Sequence, residues 1–212
     1  MLKLPITLAT ALGLVAAVAT AQLAPAAMPA QGAGAASTAA QVRAGMYKID
    51  PDHTQVLWSV DHMGFSRLYG MVGGTSGTLR LDPARLSQAQ VQVDIPLSGL
   101  TVTSTGFGKH LQTADLFDTA KFPTARFVSR QVAVSGQEAT IRGDLTLKGV
   151  TKPIELRARF YGAGNNPMSK AATIGFSARG ELKRSEFGLG YGIPAVSDTV
   201  QLEITTAFER PA

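Results

Sequence analysis

From about residue 47 to residue 209, apolar and polar side chains alternate with a period of two. Val91, Val93, Ile95 and Leu97 alternate with Gln90, Gln92 and Asp94. Ile141, Gly143, Leu145 and Leu147 alternate with Arg142, Asp144, Thr146 and Lys148. The same holds for Ile154, Leu156, Ala158 and Phe160, for Ile174, Phe176, Ala178 and Leu182, and for Val200, Leu202, Ile204 and Phe208. A helix, repeating every 3.6 residues, scatters such sets around its axis; an extended strand puts each set on one face. Each run is therefore a strand with one dry face and one wet face.

The first half repeats the pattern less cleanly. Val56, Trp58 and Val60 share a parity, residues 122–134 form another run, and residues 69–81 are Gly-rich, with Gly73-Gly74 and Gly77 marking a bulge or bend. Turn signals at Ser135-Gly136, Lys148-Gly149 and residues 162–167 separate the later runs. Eight strands result, each with an apolar face to hide, in a sandwich or a closed barrel. Strand length and glycine kinks favour closure. Strands of ten or more residues, at about 3.3 Å each, make a tube over ~30 Å long, a shape suited to a slender, chain-like apolar guest. Residues 98–119 break the alternation. Gly108 to Phe117 reads as one or two helical turns, either a lid across one mouth or a surface excursion.

The N-terminus carries a different signal. Lys3 precedes a short apolar run from Ile6 to Val18, and Ala19-Thr20-Ala21 has the small-x-small form of a cleavage site, so residues 1–21 read as a signal peptide. About a dozen apolar residues after Pro5 make a poor membrane span. Residues 22–45, mostly Ala, Pro, Gly and Gln, read as a flexible linker, leaving 46–212 as the folded domain in a periplasmic or secreted protein. The chain has no cysteine, so neither a disulfide nor a lipid-anchoring thiol is available. Its formal charge is +5; without Lys3 and Arg43, 18 basic residues face 15 acidic ones, a net of +3. These charges are scattered without runs or interleaved aromatics, which argues against nucleic acid but allows transient contact with an anionic membrane surface.

Several segments, in order, resemble the YceI-like family of bacterial periplasmic proteins. Asp50-Pro51-Asp52-His53-Thr54 is followed by Val60-Asp61-His62-Met63-Gly64-Phe65-Ser66, Leu81-Asp82-Pro83, and Lys109 to Asp118. Then come Lys121 to Phe127, Gly143 to Pro153, Arg184-Ser185-Glu186-Phe187-Gly188-Leu189, and Val196 to Val200. One departure is Gly108, where family members often carry an acidic residue. The resemblance implies an all-β, elongated, eight-stranded antiparallel lipocalin-like barrel with a short helical insert. It also implies binding of a long isoprenoid lipid, quinone or polyprenyl chain inside it. No catalytic residue, metal or cofactor is expected, and protein partners are not indicated.

On this reading the apolar interior is lined by Trp58, Val93, Ile95, Leu145, Leu147, Leu156, Phe160, Phe176, Leu202, Ile204 and Phe208. Head-group contacts at a mouth fall to His62, Arg67, Lys109, His110 and Arg184. His53, His62 and His110 are the only histidines. Separated by 9 and 48 residues, they lack the local spacing of a metal site. Two other readings stay open: a metal- or haem-linked redox accessory using His62 and His110, or a filled barrel acting as a surface interaction module.

Overall fold

The computed structural model describes residues 39–210, so the expected signal peptide and most of the linker lie outside the described residues. Twelve regular elements follow in order: β1 (Gly45–Ile49), β2 (Gln55–His62), β3 (Ser66–Val72), β4 (Ser76–Leu81), β5 (Gln90–Pro96), β6 (Leu100–Thr101), α1 (Thr105–Leu111), β7 (Thr124–Ser135), β8 (Glu138–Leu147), β9 (Val150–Asn165), β10 (Ala172–Lys183) and β11 (Thr199–Arg210). Short 3₁₀ turns lie at Ala39–Gln41, Leu86–Gln88, Leu97–Gly99 and Arg184–Phe187.

Three pairs of short strands are single long staves, each interrupted once. β1 and β2 both pair with β11, through Ile49 with Phe208 and Gln55 with Thr205, while residues 50–54 loop out between them. β3 pairs with β2 and β4 with β1; β6 pairs with β3 and β5 with β4. The remaining neighbours are β5–β7, β7–β8, β8–β9, β9–β10 and β10–β11. The result is a closed eight-stranded antiparallel barrel in which successive staves are always neighbours, as the alternation predicts. Full closure leaves no long sheet edge unpaired.

The three interruptions lie side by side and form a seam across the wall. A β-carbon on Gly73 would meet the Thr54 carbonyl at 3.6 Å, and one on Gly99 would meet the Gly73 carbonyl at 3.3 Å. The first interruption is held by Asp50. Its carboxylate accepts from the backbone N–H groups of Asp52 (3.0 Å) and His53 (3.3 Å) and lies 2.7 Å from His53 Nδ1. That hydrogen bond, with the adjoining charge, raises the pKa of the exposed His53 ring. The family-like Asp-Pro-Asp-His segment is thus a turn brace, away from the barrel interior.

The wet face carries cross-strand ion pairs such as Arg130–Asp144 (2.7 Å) and Arg142–Glu155 (3.0 Å). Being exposed, each contributes about 0–1 kcal/mol. The dry faces form two apolar clusters. One, near α1, is built on Leu97, Leu111, Phe127, Leu145, Leu156 and Phe187. The other, toward the opposite end, is built on Tyr47, Leu79, Leu81, Ile174 and Phe208.

The structure moves some expected boundaries. The helix occupies Thr105–Leu111 rather than 108–117, because the Ser104 hydroxyl caps it by accepting from Phe107 N–H at 3.3 Å. Gly106 and Gly108 mask that start in the sequence. Residues 112–119 are turns closed by short-range backbone bonds, among them Leu116 N–H to Thr113 O and Asp118 N–H to Thr113 O. β9 runs on through Gly162 and Gly164, so the turn assigned to 162–167 starts at Asn166, whose side chain accepts from Met168 and Ser169 N–H. The end of the Ala/Pro/Gly-rich stretch also packs on the barrel: Val42 joins the second cluster, and Tyr47 Oη donates to Arg43 O at 2.7 Å.

Trp58 pairs across the β2–β3 ladder with Gly70. A β-carbon at Gly70 would overlap the six-membered ring of the indole, so the glycine is what lets the ring lie against the wall. Gly70→Ala should therefore cost about 1–3 kcal/mol, the usual effect of overpacking. The midpoint of urea denaturation reads this directly. The cost should shrink in a Trp58→Ala background; equal costs in both backgrounds would show the contact does not set it.

Candidate functional site

The barrel is hollow, enclosing a cavity of about 1080 Å³. It reaches from His62, His110 and Tyr191 at the α1 end to Pro83, Leu86 and Gln137 at the other. The expectation of a filled interior, one of the alternatives, is corrected by this space.

Trp58, Val93, Ile95, Leu145, Leu147, Leu156, Phe160, Phe176, Leu202, Ile204 and Phe208 all border the cavity. Phe176 stands edge-on to Phe160 and Phe208, with ring centroids 6.1 and 6.4 Å apart. Ile49, Leu79, Leu81, Val91 and Phe127 join them. Val91 and Phe127 carry the parity of their runs; Ile49, Leu79 and Leu81 lie on interrupted staves where parity is hard to follow. Thr54, Thr75 and Thr206 also line the wall, and hydropathy gives no hint of them.

The five residues expected at a mouth separate into distinct roles. His62 ends β2, borders the cavity, and bridges to Val196. His110 also borders the cavity; its Nε2 is 3.5 Å from Asp115 Oδ2 and its ring stands edge-on to Tyr191 with centroids 4.8 Å apart. Phe107, His110 and Leu111, spaced i, i+3, i+4, form the cavity face of α1. Lys109 falls off that face, is exposed, and does not border the cavity. Arg67 is exposed at the rim, where it borders the cavity and donates to Ser59 Oγ at 3.3 Å.

Arg184 is the largest departure from expectation. It is only 6% exposed, and its guanidinium donates to four backbone carbonyls: Ser197 (2.8 Å), Leu189 (2.5 Å), Tyr191 (2.8 Å) and Val196 (2.8 Å). Burial lowers its pKa, against the opposing pull of nearby Asp198. Burial also pushes the Asp198 carboxyl up, but bonds from Ser185 N–H and O–H, with Lys183 and Arg184 nearby, hold it below the usual carboxylate range. The arginine thus ties residues 189–197 over the α1-end mouth and has little donor capacity left for a guest. Lys148 adds a second tie, donating to Ala114 O (2.8 Å) and Gly188 O (3.3 Å) from the β8–β9 hairpin tip.

Among the described residues, no three His, Asp or Glu side chains come together as a group that could hold a metal ion. His62 and His110 are set on the rim of an apolar tube, each already in contact with the 188–198 loop.

The model of the YceI-like domain matches residues 47–208. The chain belongs to the YceI-like family. Protein YceI of Escherichia coli O6:H1 (strain CFT073) is 37% identical over 161 residues, covering 75% of this chain and 84% of that one. Among solved structures, the YceI protein of Campylobacter jejuni superposes with a TM-score of 0.63 at 26% identity, covering 72% of this chain and 90% of the other. A polyisoprenoid binding domain from Saccharophagus degradans superposes with a TM-score of 0.59 at 16% identity, covering 78% and 98%, and shares the fold. In this YceI-like chain five charged motif residues, Asp50, Asp61, Asp82, Arg184 and Asp198, hold turns and loops.

Proposed function

We propose that this YceI-like protein is a periplasmic or secreted, non-enzymatic carrier of a long isoprenoid lipid, of quinone or polyprenyl type, held inside the barrel. The observation that carries this reading is the cavity: about 1080 Å³, running from the α1 end to the opposite end and lined mainly by apolar side chains. Each CH₂ moved from water into such a space contributes about 0.8 kcal/mol, so a prenyl tail binds firmly without specific polar contacts. Family membership supports the reading, as does the shared fold of a domain described as polyisoprenoid binding.

The test is mass spectrometry of an organic extract from protein purified without detergent from its native host. A prenyl lipid in stoichiometric amount is the expected result. An extract that stays empty after the protein has been incubated with host membranes would overturn the reading.

Transfer between membranes requires a place to touch one. The β2–β3 hairpin tip at the α1-end mouth exposes Phe65 (89%) and Met63 (53%) beside the cavity-lining His62. Met63 and Gly64 both have positive φ, 59° and 71°, the tight reversal that sets this tip. Phe65→Ser should lower co-sedimentation with anionic phospholipid vesicles several-fold while leaving the urea midpoint unchanged. Equal sedimentation would remove this tip as the contact.

A further inference from the structure

The barrel wall has a short gap along one edge of β3. The β3–β6 ladder consists of two pairs, Val72 with Leu100 and Met71 with Thr101. Continued in register, it would set Gly70 against Val102 and Tyr69 against Thr103. It stops there because the chain turns into α1 at its Ser104 cap. The helix then folds back on its own lead-in: a β-carbon on Gly108 would meet Val102 Cγ2 at 3.4 Å. Among the described residues, Ser66 to Gly70 therefore pair with β2 alone. Backbone direction agrees. Thr101 Oγ1 donates to Met71 O, so the Met71 backbone aims away from β2. Alternate residues of a strand aim alike, so Arg67 and Tyr69 turn their N–H and C=O groups to this free edge.

The cavity passes through the gap. Along β3, Leu68, Gly70 and Val72 share the inward face with Trp58 and Val60, while Arg67, Tyr69 and Met71 face out. Yet Arg67, Leu68 and Tyr69 all border the one cavity. A space that touches both faces of one strand must run around that strand's edge. Val102, Thr103, Ser104 and Phe107 border it from the other side. The gap is thus a side slot, with β3 as one lip and the lead-in to α1 as the other. At about 3.3 Å per residue, the lip from Ser66 to Gly70 is roughly 16 Å long. The end of the tube beside it is covered by the 188–198 loop, which Arg184 holds in place.

Resting on the carrier reading above, we infer that the guest enters and leaves through this side slot rather than through the end of the tube. A slot admits a slender chain along its length, where an end opening requires threading. The hairpin tip that exposes Phe65 runs directly into the β3 lip. A tail leaving a membrane at that tip passes along Tyr69 into the cavity with little exposure to water.

Locking the slot tests this. The chain has no cysteine, so Tyr69→Cys with Thr103→Cys places the only two thiols on facing lips, where a short bis-maleimide bridges them. Each single-cysteine variant, treated with the same reagent, carries its bulk without the bridge. Lipid-free proteins are mixed with vesicles holding a fully substituted prenylated benzoquinone, and protein-bound quinone is quantified over time. The bridged protein should load at least tenfold more slowly than either single variant. Protein loaded before bridging should release its quinone more slowly by a similar factor. The quinone content of the preloaded protein should be unchanged at equilibrium, because a gate alters both rates alike, whereas structural damage would lower it. Loading at equal rates in bridged and single-cysteine proteins, or a pair that does not bridge in folded protein, would overturn the slot while leaving the carrier reading intact. No uptake by wild type would overturn both.

Discussion

Phe176→Asp should empty the barrel, lowering bound lipid at least tenfold in protein that still folds. Phe176 sits on β10, faces the cavity, and forms an edge-to-face run with Phe160 and Phe208. These aromatic side chains supply much of the apolar area a tail can touch in that half of the tube. An aspartate there meets a wall with few polar partners. Either its carboxyl stays protonated or it draws water into the space the tail would fill. Both outcomes oppose uptake of a hydrocarbon chain. Losing the ring from its two neighbours also destabilises the fold, by about 2–4 kcal/mol, at the lower side of Phe-to-small costs because one face of the ring borders open space. Phe176→Leu keeps the wall apolar and should retain most of the lipid. The measurement is lipid per mole of protein after incubation with a prenylated quinone, with circular dichroism to confirm the strands. A folded Phe176→Asp protein with wild-type lipid content would place the guest somewhere other than this cavity.

How far the sequence discloses this site depends on which physical signal each residue carries. The alternation that places Leu145, Leu156, Phe176 and Leu202 inward is a direct consequence of strand geometry, and all four line the cavity. The staves of the first half carry a weaker signal because each is interrupted. Parity is lost across the loop at 50–54, the Gly73-Gly74 break and the turn at 97–99, so the alternation does not mark Leu79 and Leu81 as inward. Whether the interior is full or hollow depends on how side chains from opposite walls meet, and no single run encodes that. Trp58 is legible as wall, but its buried, unpaired N–H depends on the indole lying against Gly70. Thr75 carries no signal at all in the sequence: a threonine beside two glycines reads as a turn. The charged motif residues point the opposite way. In the sequence Arg184 reads as a head-group contact because cations near a mouth suit anionic ligands, whereas the fold surrounds it with backbone carbonyls.

Arg184→Leu, the second large effect, separates these two roles. The guanidinium satisfies the carbonyls of Leu189, Tyr191, Val196 and Ser197 from within the fold, and its own backbone accepts from Leu189 N–H and donates to Asp198 O. Leucine fills similar space but leaves four carbonyls unpaired, at a cost of about 2–4 kcal/mol once loosening of the loop toward water relieves part of it. The 188–198 loop should then detach from β2 and α1, taking Tyr191 off His110 and opening the α1-end mouth. Limited proteolysis within residues 188–198 should accelerate, the urea midpoint should fall, and bound quinone should leave faster. Arg184→Lys discriminates: an ammonium is a compact charge and lacks the planar fork needed to reach these carbonyls, so it should be nearly as unstable as leucine. If the residue instead gripped an anionic head group, lysine would preserve both stability and lipid retention, and leucine would weaken binding without touching the urea midpoint. A wild-type midpoint and unchanged proteolysis in Arg184→Leu would therefore return Arg184 to the list of ligand contacts.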